Sequence, residues 1–262
     1  MRVSRVAAGL MLALSLGCAC AQQVAGAGVG DKGQAAFRAQ ADVQDAEYKA
    51  WVAKVRAALV AGQFDELDHQ ADGLRQGKER WPGGAWKLST FYVALDAPSG
   101  TDAGSEDHLA RLERWVKVRP ESITARVALA ISLVRWAWVA RGNASSEEVR
   151  TGDFPIFFAR LKQASEVLDN AAGMRTMCPE WYQVMLVVGR SQQWNRKQME
   201  DVLTRGEQFA PDFQALDQEM AQYLLPKWYG KPGDADQFAR AAGDRVGGMR
   251  AICCISRLWA AC

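Results

Sequence analysis

The spacing of apolar residues is the feature of this sequence that most constrains its fold. From about Asp42 onward, apolar residues follow one another at intervals of three or four, as in the series Trp51, Val55 and Leu59. Residues at these intervals share one face of an α-helix. No segment alternates apolar and polar residues for long enough to indicate a β-strand. The sequence therefore predicts an all-α fold.

Short breaks divide this periodicity into pairs of helices. A turn at Gly62 separates the first two amphipathic segments, and a proline followed by an acid precedes three later ones, at Pro120, Pro179 and Pro211. Proline suits the first position of a helix because its missing N–H group needs no partner there. Pro179 and Pro211 are separated by nearly the ~34 residues of a tetratricopeptide repeat, although Pro120 and Pro179 lie much farther apart. We predict antiparallel helix pairs stacked as a degenerate tetratricopeptide-like array.

The N-terminus has the pattern of a secretory signal peptide. Two arginines precede an apolar run over residues 6–17, and Ala19 and Ala21 supply the small residues that a cleavage site requires. The apolar run is too short to span a bilayer of ~30 Å. We therefore expect residues 1–21 to be removed and the mature protein to be periplasmic or secreted.

A lipid-anchored form is the alternative, and it fits the sequence less well. Bacterial lipidation normally requires an aliphatic residue three positions before the modified cysteine. Cys18 has Ser15 at that position and Cys20 has Gly17. We therefore expect a cleaved product without a lipid anchor.

The charge balance of the mature chain excludes two classes of protein. The full sequence has a formal net charge of +2, which the two arginines of the signal peptide account for. A neutral chain without clustered Lys and Arg lacks the positive surface that nucleic acid requires. After the signal peptide, the longest apolar run, residues 125–140, is interrupted by Arg126 and Arg135. We therefore expect no nucleic-acid binding and no further transmembrane segment.

Composition divides the mature chain into three parts. Residues 22–41 are rich in Gly, Ala and Gln with little periodicity, and we expect a flexible lead-in there. The helical-repeat domain follows over residues 42–248. Residues 249–262 form an atypical Cys-rich tail, which we interpret as a truncated or frameshifted ending.

Two stretches of the chain carry the features of a family. The first, residues 64–92, contains Phe64-Asp65-Glu66-Leu67 and Gly84-Ala85-Trp86-Lys87-Leu88. The second, residues 223–239, contains the segment Trp228-Tyr229-Gly230-Lys231-Pro232-Gly233-Asp234. Together they resemble a family of bacterial envelope proteins that carry a domain of unknown function with tetratricopeptide-like helix pairs and a W-Y-G-x-x-G-D segment. The resemblance implies an all-helical fold and no established activity.

Known catalytic and cofactor motifs are missing from the sequence. It has no Gly-x-Ser-x-Gly and no phosphate-binding loop, and its one Gly-x-Gly-x-x-G, residues 28–33, follows no predicted strand and so is not a dinucleotide fingerprint. The two histidines, His69 and His108, are far apart, and there is no Cys-x-x-Cys pair of the kind that zinc sites use. We therefore predict no catalytic residue, no metal site and no cofactor.

Aromatic and charged residues in two loops and on one helix are the candidates for binding a ligand. Trp81 and Trp86 flank a Pro-Gly-Gly loop, where a ligand could contact them, although tryptophan also fills cores. The segment 228–234 is either a recognition loop or a structural turn that caps the next helix. Arg75 either forms an ion pair with a nearby acid such as Asp72 or Glu79 or binds a ligand carboxylate. The candidate binding residues are Arg75, Trp81, Trp86, Trp228, Tyr229 and Asp234.

Recurrent amphipathic pairing without catalytic residues predicts a helical-repeat interaction protein. Stacked helix pairs leave a concave face that suits an extended chain, so we expect an unknown envelope protein or peptide as the partner. The alternative is a glycan-binding or glycan-processing envelope protein, which export and the ten tryptophans favour. Exposed tryptophans and carboxylates in one cleft would favour the glycan hypothesis, and a dispersed polar groove would favour the peptide hypothesis.

Overall fold

The described residues of the chain form ten α-helices. The computed structural model describes residues 31–82, 84–96, 102–142, 150 and 152–246. The helices are α1 (Asp31–Val60), α2 (Phe64–Gly77), α3 (Lys87–Leu95), α4 (Asp102–Val118), α5 (Ile123–Arg141), α6 (Asp153–Asp169), α7 (Pro179–Ser191), α8 (Arg196–Phe209), α9 (Ala215–Tyr223) and α10 (Asp234–Val246). Apart from an isolated bridge between Arg80 and Trp86, these residues contain no β-structure. The prediction of an all-α fold is confirmed.

The two ends of the sequence lie beyond these helices. The predicted signal peptide, residues 1–21, and the predicted atypical tail, residues 249–262, both fall outside the described residues. The ten helices lie within residues 31–246, which overlap the segment 42–248 where the sequence predicts a helical-repeat domain.

The first helix begins earlier than the sequence predicts. α1 starts at Asp31, within the segment 22–41 that we expected to be a flexible lead-in, so that prediction is wrong for residues 31–41. Alanine and glutamine are good helix formers, and they make up most of residues 34–41. Local helix propensity therefore extends α1 even where apolar residues lack helical periodicity.

Only one of the three proline–acid junctions starts a helix with its proline. Pro179 is the first residue of α7. α5 begins only after Pro120, and the Ser122 hydroxyl caps it by accepting a hydrogen bond from the Ala125 N–H at 2.9 Å. Pro211 lies in a turn before α9. The proline–acid pattern therefore marks helix boundaries, while at α5 a side-chain cap at Ser122 immediately precedes the first helical residue.

α5 is the central helix of the core. It packs against α4, α6 and α7 and also contacts α2 and α3. Its small residues Ala125, Ala130 and Ala137 are fully buried, and small side chains let neighbouring helices approach closely. By length and composition α5 is able to cross a membrane, but 61% of it is buried inside the protein, as is typical of a core helix.

A buried polar group joins α2 to the junction of α4 and α5. Trp115 is fully buried and stacks on Phe64, with ring centroids 5.5 Å apart. Its indole N–H lies 3.5 Å from the Asp68 carboxylate, which also accepts a hydrogen bond from the Ser122 hydroxyl. The Asp68 carboxylate is thus satisfied by donors from two other elements, as a buried acid requires.

Candidate functional site

Arg75 lies on α2 and is half-buried, with a side chain that is 9% exposed. It forms the ion pair with Asp72 that one interpretation of the sequence expects. Its guanidinium also donates to Thr124 Oγ1 at 3.0 Å and to Tyr92 Oη at 3.5 Å, and Tyr92 Oη lies 3.4 Å from Sγ of Cys178. Arg75 therefore joins α2, α3 and α5 inside the protein.

Trp81 lies in the middle of the loop between α2 and α3 and packs against α1. Its indole N–H donates to Thr90 Oγ1 at 2.8 Å. Its ring centroid lies 5.5 Å from that of Tyr48 and 6.0 Å from that of Trp51, and the Lys87 ammonium lies 5.3 Å from it. Much of the indole therefore contacts the protein itself.

Trp86 is buried where this loop meets the segment before α9. Its indole N–H donates to the Asp212 carbonyl at 3.1 Å, and its ring meets Phe213 edge to face at a centroid distance of 5.2 Å. The Arg80 guanidinium lies 4.8 Å from the Trp86 ring centroid and pairs with the Asp212 carboxylate at 2.9 Å. Trp86 therefore joins two segments that are far apart in the sequence.

Trp228 and Tyr229 cover the C-terminal end of α7. The Tyr229 hydroxyl donates to the Arg190 carbonyl at 3.0 Å, and the Tyr223 hydroxyl donates to the Trp194 carbonyl at 3.0 Å. Carbonyls at the end of a helix lack partners within it, so Tyr229 supplies a donor there, while Tyr223 binds the loop between α7 and α8. The Arg190 guanidinium lies 4.6 Å from the Trp228 ring centroid. Burial raises the pKa of both tyrosine hydroxyls.

The glycine and the acid of the same segment shape the turn into α10. A Cβ added to Gly230 would lie 1.8 Å from the Leu224 carbonyl oxygen, so only glycine fits there. Asp234 is the first residue of α10, and its carboxylate accepts a hydrogen bond from the Lys231 N–H at 3.1 Å. The same carboxylate lies 3.5 Å from the Arg196 guanidinium. The acid therefore closes the turn and stands at the positive end of the helix dipole.

The six candidate binding residues fall into three groups. Arg75 lies on α2, Trp81 and Trp86 lie in the loop between α2 and α3, and the other three surround the end of α7 and the start of α10. No hydrogen bond, ion pair or ring contact within the described part of the chain joins one group to another. The structure therefore brings them together only within each group.

A buried acid that sequence analysis did not select lies at the start of α7. Glu180 is 3% exposed and hydrogen-bonds to Ser89 of α3, while its Oε1 atom has no hydrogen-bond partner among the described residues. Burial raises the pKa of this carboxyl to about 7 against the lowering effect of Ser89, and nearby Glu219 adds to the rise. An acid beside a helix-starting proline is usually exposed, so the sequence carried no sign of its burial.

An open cleft of about 290 Å³ lies where α6, α7 and α8 meet. Its lining residues are Asp169, Ala172, Trp181, Met185, Trp194, Gln198, Asp201, Val202 and Arg205, and we call it the α6–α8 cleft. The two indoles and Met185 supply an apolar floor. Asp169, Asp201 and Arg205 are exposed at the rim. The arrangement can bind an apolar group between charged and polar side chains.

Gly189 and the start of α8 position one wall of this cleft. A Cβ at Gly189 would lie 2.7 Å from the Trp194 ring and 2.8 Å from Met199 Sδ, so glycine lets Trp194 lie against α7. Asn195 and Gln198 form a reciprocal capping box that starts α8. Residues 198, 201, 202 and 205 then share one face of α8. The cleft therefore depends on contacts between helices, which periodicity within each helix does not reveal.

The rim of the cleft carries both signs of charge. Asp201 pairs with Lys197 at 2.8 Å, and Arg205 Nε donates to the Asp201 backbone carbonyl at 3.3 Å. Asp169 accepts a hydrogen bond from the Ser165 hydroxyl at 3.5 Å. Because these groups are exposed, each carboxylate and the guanidinium retain capacity for further hydrogen bonds.

The part of the chain that the structure describes contains few side chains suited to metal binding or thiol chemistry. Within it, no group of three or more His, Cys, Asp or Glu side chains could hold a metal ion. Cys178 is a buried free thiol, and burial raises its pKa. The other mature cysteines, Cys253, Cys254 and Cys262, lie outside the described residues.

Comparison with known proteins assigns the family of the chain. No curated protein and no solved structure matches it. Residues 51–196, more than half of the 262 residues, match the family described as "Domain of unknown function (DUF4034)". The match begins in α1 and ends at the first residue of α8, so it includes Arg75, Trp81, Trp86 and the α7 side of the cleft. The resemblance to proteins with a domain of unknown function is therefore confirmed, and the chain belongs to the DUF4034 family.

Proposed function

We propose that the mature protein binds a peptide segment of a partner protein in the α6–α8 cleft, as part of a tetratricopeptide-like helical array. The open cleft is the observation that carries this proposal. Its volume of about 290 Å³ suits one large side chain, since pockets for drug-sized ligands begin at ~300 Å³. One apolar side chain of the peptide fills the cleft, and the flanking peptide backbone meets the rim.

The chemistry of the lining supports a peptide ligand. The half-buried Trp194 supplies the accessible apolar surface of the cleft, and the buried Trp181 and Met185 lie beneath it. Asp169 accepts hydrogen bonds and Arg205 donates them, so the rim matches the N–H and C=O groups on either side of a bound residue. A peptide presents these two kinds of group in every residue.

Glycan binding is the second candidate, and one observation favours it. Trp194 shares the cleft with the carboxylates of Asp169 and Asp201, as the glycan hypothesis requires. However, Trp181 is only 3% exposed, and the indoles outside the cleft contact protein groups. A sugar ring would have one available indole face, so the peptide is the better match.

We propose further that the protein is exported and acts in the periplasm or outside the cell. The support is the pattern of arginines, apolar residues and small residues in the segment 1–21. The intact mass of protein recovered from the periplasm of a bacterial host tests this proposal. We expect a chain that begins at Gln22. Retention of residues 1–21, or a lipid on Cys18 or Cys20, would contradict it.

Selection of a random peptide library on residues 22–262 tests the ligand class. We expect enriched peptides to share one large apolar side chain and to change the tryptophan fluorescence on binding. Ala172→Trp, at an exposed position of the cleft, should weaken binding by about tenfold or more. Asn170→Trp, exposed in the same turn but outside the lining, is the matched control and should bind like the wild type.

A glycan array probed with the wild type, Ala172→Trp and Asn170→Trp distinguishes glycan binding from peptide binding. Binding of an oligosaccharide that Ala172→Trp abolishes, with no peptide enriched, would replace the peptide by a glycan. Equal loss of peptide binding in Ala172→Trp and Asn170→Trp, with unchanged thermal unfolding, would show that the peptide does not bind in the cleft.

A further inference from the structure

A second open groove of about 490 Å³ lies between α1 and α3. We call it the α1–α3 groove. Its lining residues are Tyr48, Lys49, Val52, Ala53 and Arg56 of α1 and Val93 of α3. The α1 residues recur at intervals of three or four, so they form one continuous face of the helix. None of these residues belongs to the α6–α8 cleft.

The floor of the groove is apolar and accessible. Val93 is 36% exposed, Ala53 is exposed, and Val52 lies at the edge of the core with an exposed fraction of 9%. At one end the Tyr48 ring contacts Trp81, with centroids 5.5 Å apart, so an aromatic cluster fixes this wall. Exposed apolar surface bordered by polar side chains is typical of an interaction surface.

The rim of the groove is basic. Arg56 Nε donates to the Ala94 carbonyl at 3.2 Å, which orients the guanidinium but uses only one of its five N–H groups. No carboxylate among the described residues forms an ion pair with Arg56. Lys49 pairs with Asp45 at 2.5 Å, but the two side chains are 72% and 59% exposed, and such a pair contributes little. Two cations are therefore available to a ligand.

A buried histidine on α4 lies within the electrostatic range of this rim. His108 is 6% exposed, and its Nε2 atom has no hydrogen-bond partner in the part of the chain that the structure describes. Burial lowers the pKa of His108, and the nearby charges of Arg111, Arg56 and Arg135 lower it further. Arg135 pairs with Asp96 at 3.0 Å. An anion bound at Arg56 would weaken this positive field and raise the pKa of His108.

We propose that the α1–α3 groove is a second peptide-binding site, which binds an acidic side chain flanked by apolar residues. The apolar floor takes the flanking side chains, and Arg56 and Lys49 bind the carboxylate through charge-assisted hydrogen bonds. Charge complementarity selects an acidic segment over a basic or a neutral one. This site does not depend on the α6–α8 cleft, so each can fail while the other binds.

Two peptides that differ only in charge test this proposal. They are acetyl-Leu-Glu-Leu-Ser-amide and its neutral counterpart acetyl-Leu-Gln-Leu-Ser-amide, titrated into residues 22–262 at low salt and followed by ¹H–¹⁵N spectra. We expect the acidic peptide to bind about fivefold more tightly or better. It should shift the amide signals of Val52, Ala53 and Val93 and raise the pKa of His108.

Three variants locate the binding in the groove. Ala53→Trp fills the groove from an exposed position and should abolish binding. Ala57→Trp, exposed one turn later on the same helix and outside the lining, is the matched control and should bind like the wild type. Arg56→Gln should remove the preference for the acidic peptide. Thermal unfolding of each variant verifies that it folds.

The opposite results would overturn the proposal. These are equal affinity for the two peptides, binding of neither, or equal loss of binding in both tryptophan variants. Sedimentation supplies a further outcome. A wild-type dimer that Ala53→Trp converts into a monomer would assign the groove to a second copy of the chain and would also overturn it.

Discussion

At the scale of single residues, Gly230 permits the chain to turn against the end of α9. Its neighbours Trp228 and Tyr229 then contact Arg190 at the end of α7. A side chain at position 230 would collide with the Leu224 carbonyl oxygen, which is backbone and has no rotamer by which to move away. The central glycine of the W-Y-G-x-x-G-D segment is therefore explained by a steric requirement.

Replacement of this glycine should be costly. We expect Gly230→Ala to lower the free energy of unfolding by about 3 kcal/mol, because the backbone of one segment must shift. Urea unfolding followed by tryptophan fluorescence measures the change. Gly73→Ala is the control: it lies exposed inside α2 with nothing near its Cβ position. It should raise the free energy of unfolding by about 1 kcal/mol, and a comparable loss in both variants would contradict the steric explanation.

At the scale of helices, one arginine and two acids fasten α10 to the rest of the protein. The Arg245 guanidinium lies 2.6 Å from Glu207 of α8 and 2.6 Å from Asp217 of α9. The Asp217 side chain is 6% exposed and that of Glu207 is 26% exposed. Burial raises the pKa of both carboxyls, so Arg245 offsets the cost of keeping two close carboxylates ionised.

Removal of Arg245 should release α10 in a pH-dependent way. We expect Arg245→Gln to speed amide hydrogen exchange in α10 at pH 8 and to lower the free energy of unfolding by about 2 kcal/mol. Because the pKa of both carboxyls is raised, they become protonated as the pH falls and no longer need the positive charge of Arg245. The loss of stability in Arg245→Gln should therefore shrink as the pH falls from 8 to 5. Arg240→Gln, exposed on the same helix, is the control. A defect that is constant with pH would disprove the role of the two acids.

Helices were predictable from this sequence, whereas their exact ends were not. The apolar spacing of Trp51, Val55 and Leu59 requires one buried face, and only a helix provides it. The start of α1 at Asp31 depends on local propensity, and the start of α5 depends on the Ser122 hydroxyl. Alternative start positions of a helix differ in energy by amounts similar to these short-range effects. Apolar spacing alone therefore does not decide at which residue a helix begins.

At the scale of the whole molecule, the sites depend on contacts that periodicity does not record. The α6–α8 cleft joins Asp169, Trp194 and Arg205 from three separate segments. Tryptophans that we selected from the sequence as candidate ligand contacts, such as Trp86, instead join segments that are far apart in the sequence. The distinctive loops are recognisable in the sequence, but the partner of each side chain follows only from the packing of one helix on another.

Glu180 of α7 is buried and hydrogen-bonds to Ser89 of α3, so its titration should appear in the stability of the whole protein. Its carboxyl has a pKa of about 7 in the folded state, against an ordinary value of 4.5. The folded protein therefore binds this proton more tightly than the unfolded chain does. Its stabilising contribution is complete below about pH 4.5 and is lost as the pH rises to about 7, and we expect a total loss of roughly 3 kcal/mol.

The difference between the wild type and Glu180→Gln isolates this contribution from those of other titrating groups. Glutamine keeps the shape of the side chain and an acceptor for Ser89, but it carries no charge at any pH. Urea unfolding at pH 5, 6, 7 and 8 should therefore show the variant gaining stability relative to the wild type as the pH rises. Glu113→Gln, exposed on α4, should give a constant difference. A constant difference for Glu180→Gln as well would mean that the Glu180 carboxylate reaches water in the folded protein, so that its ionisation costs the fold nothing.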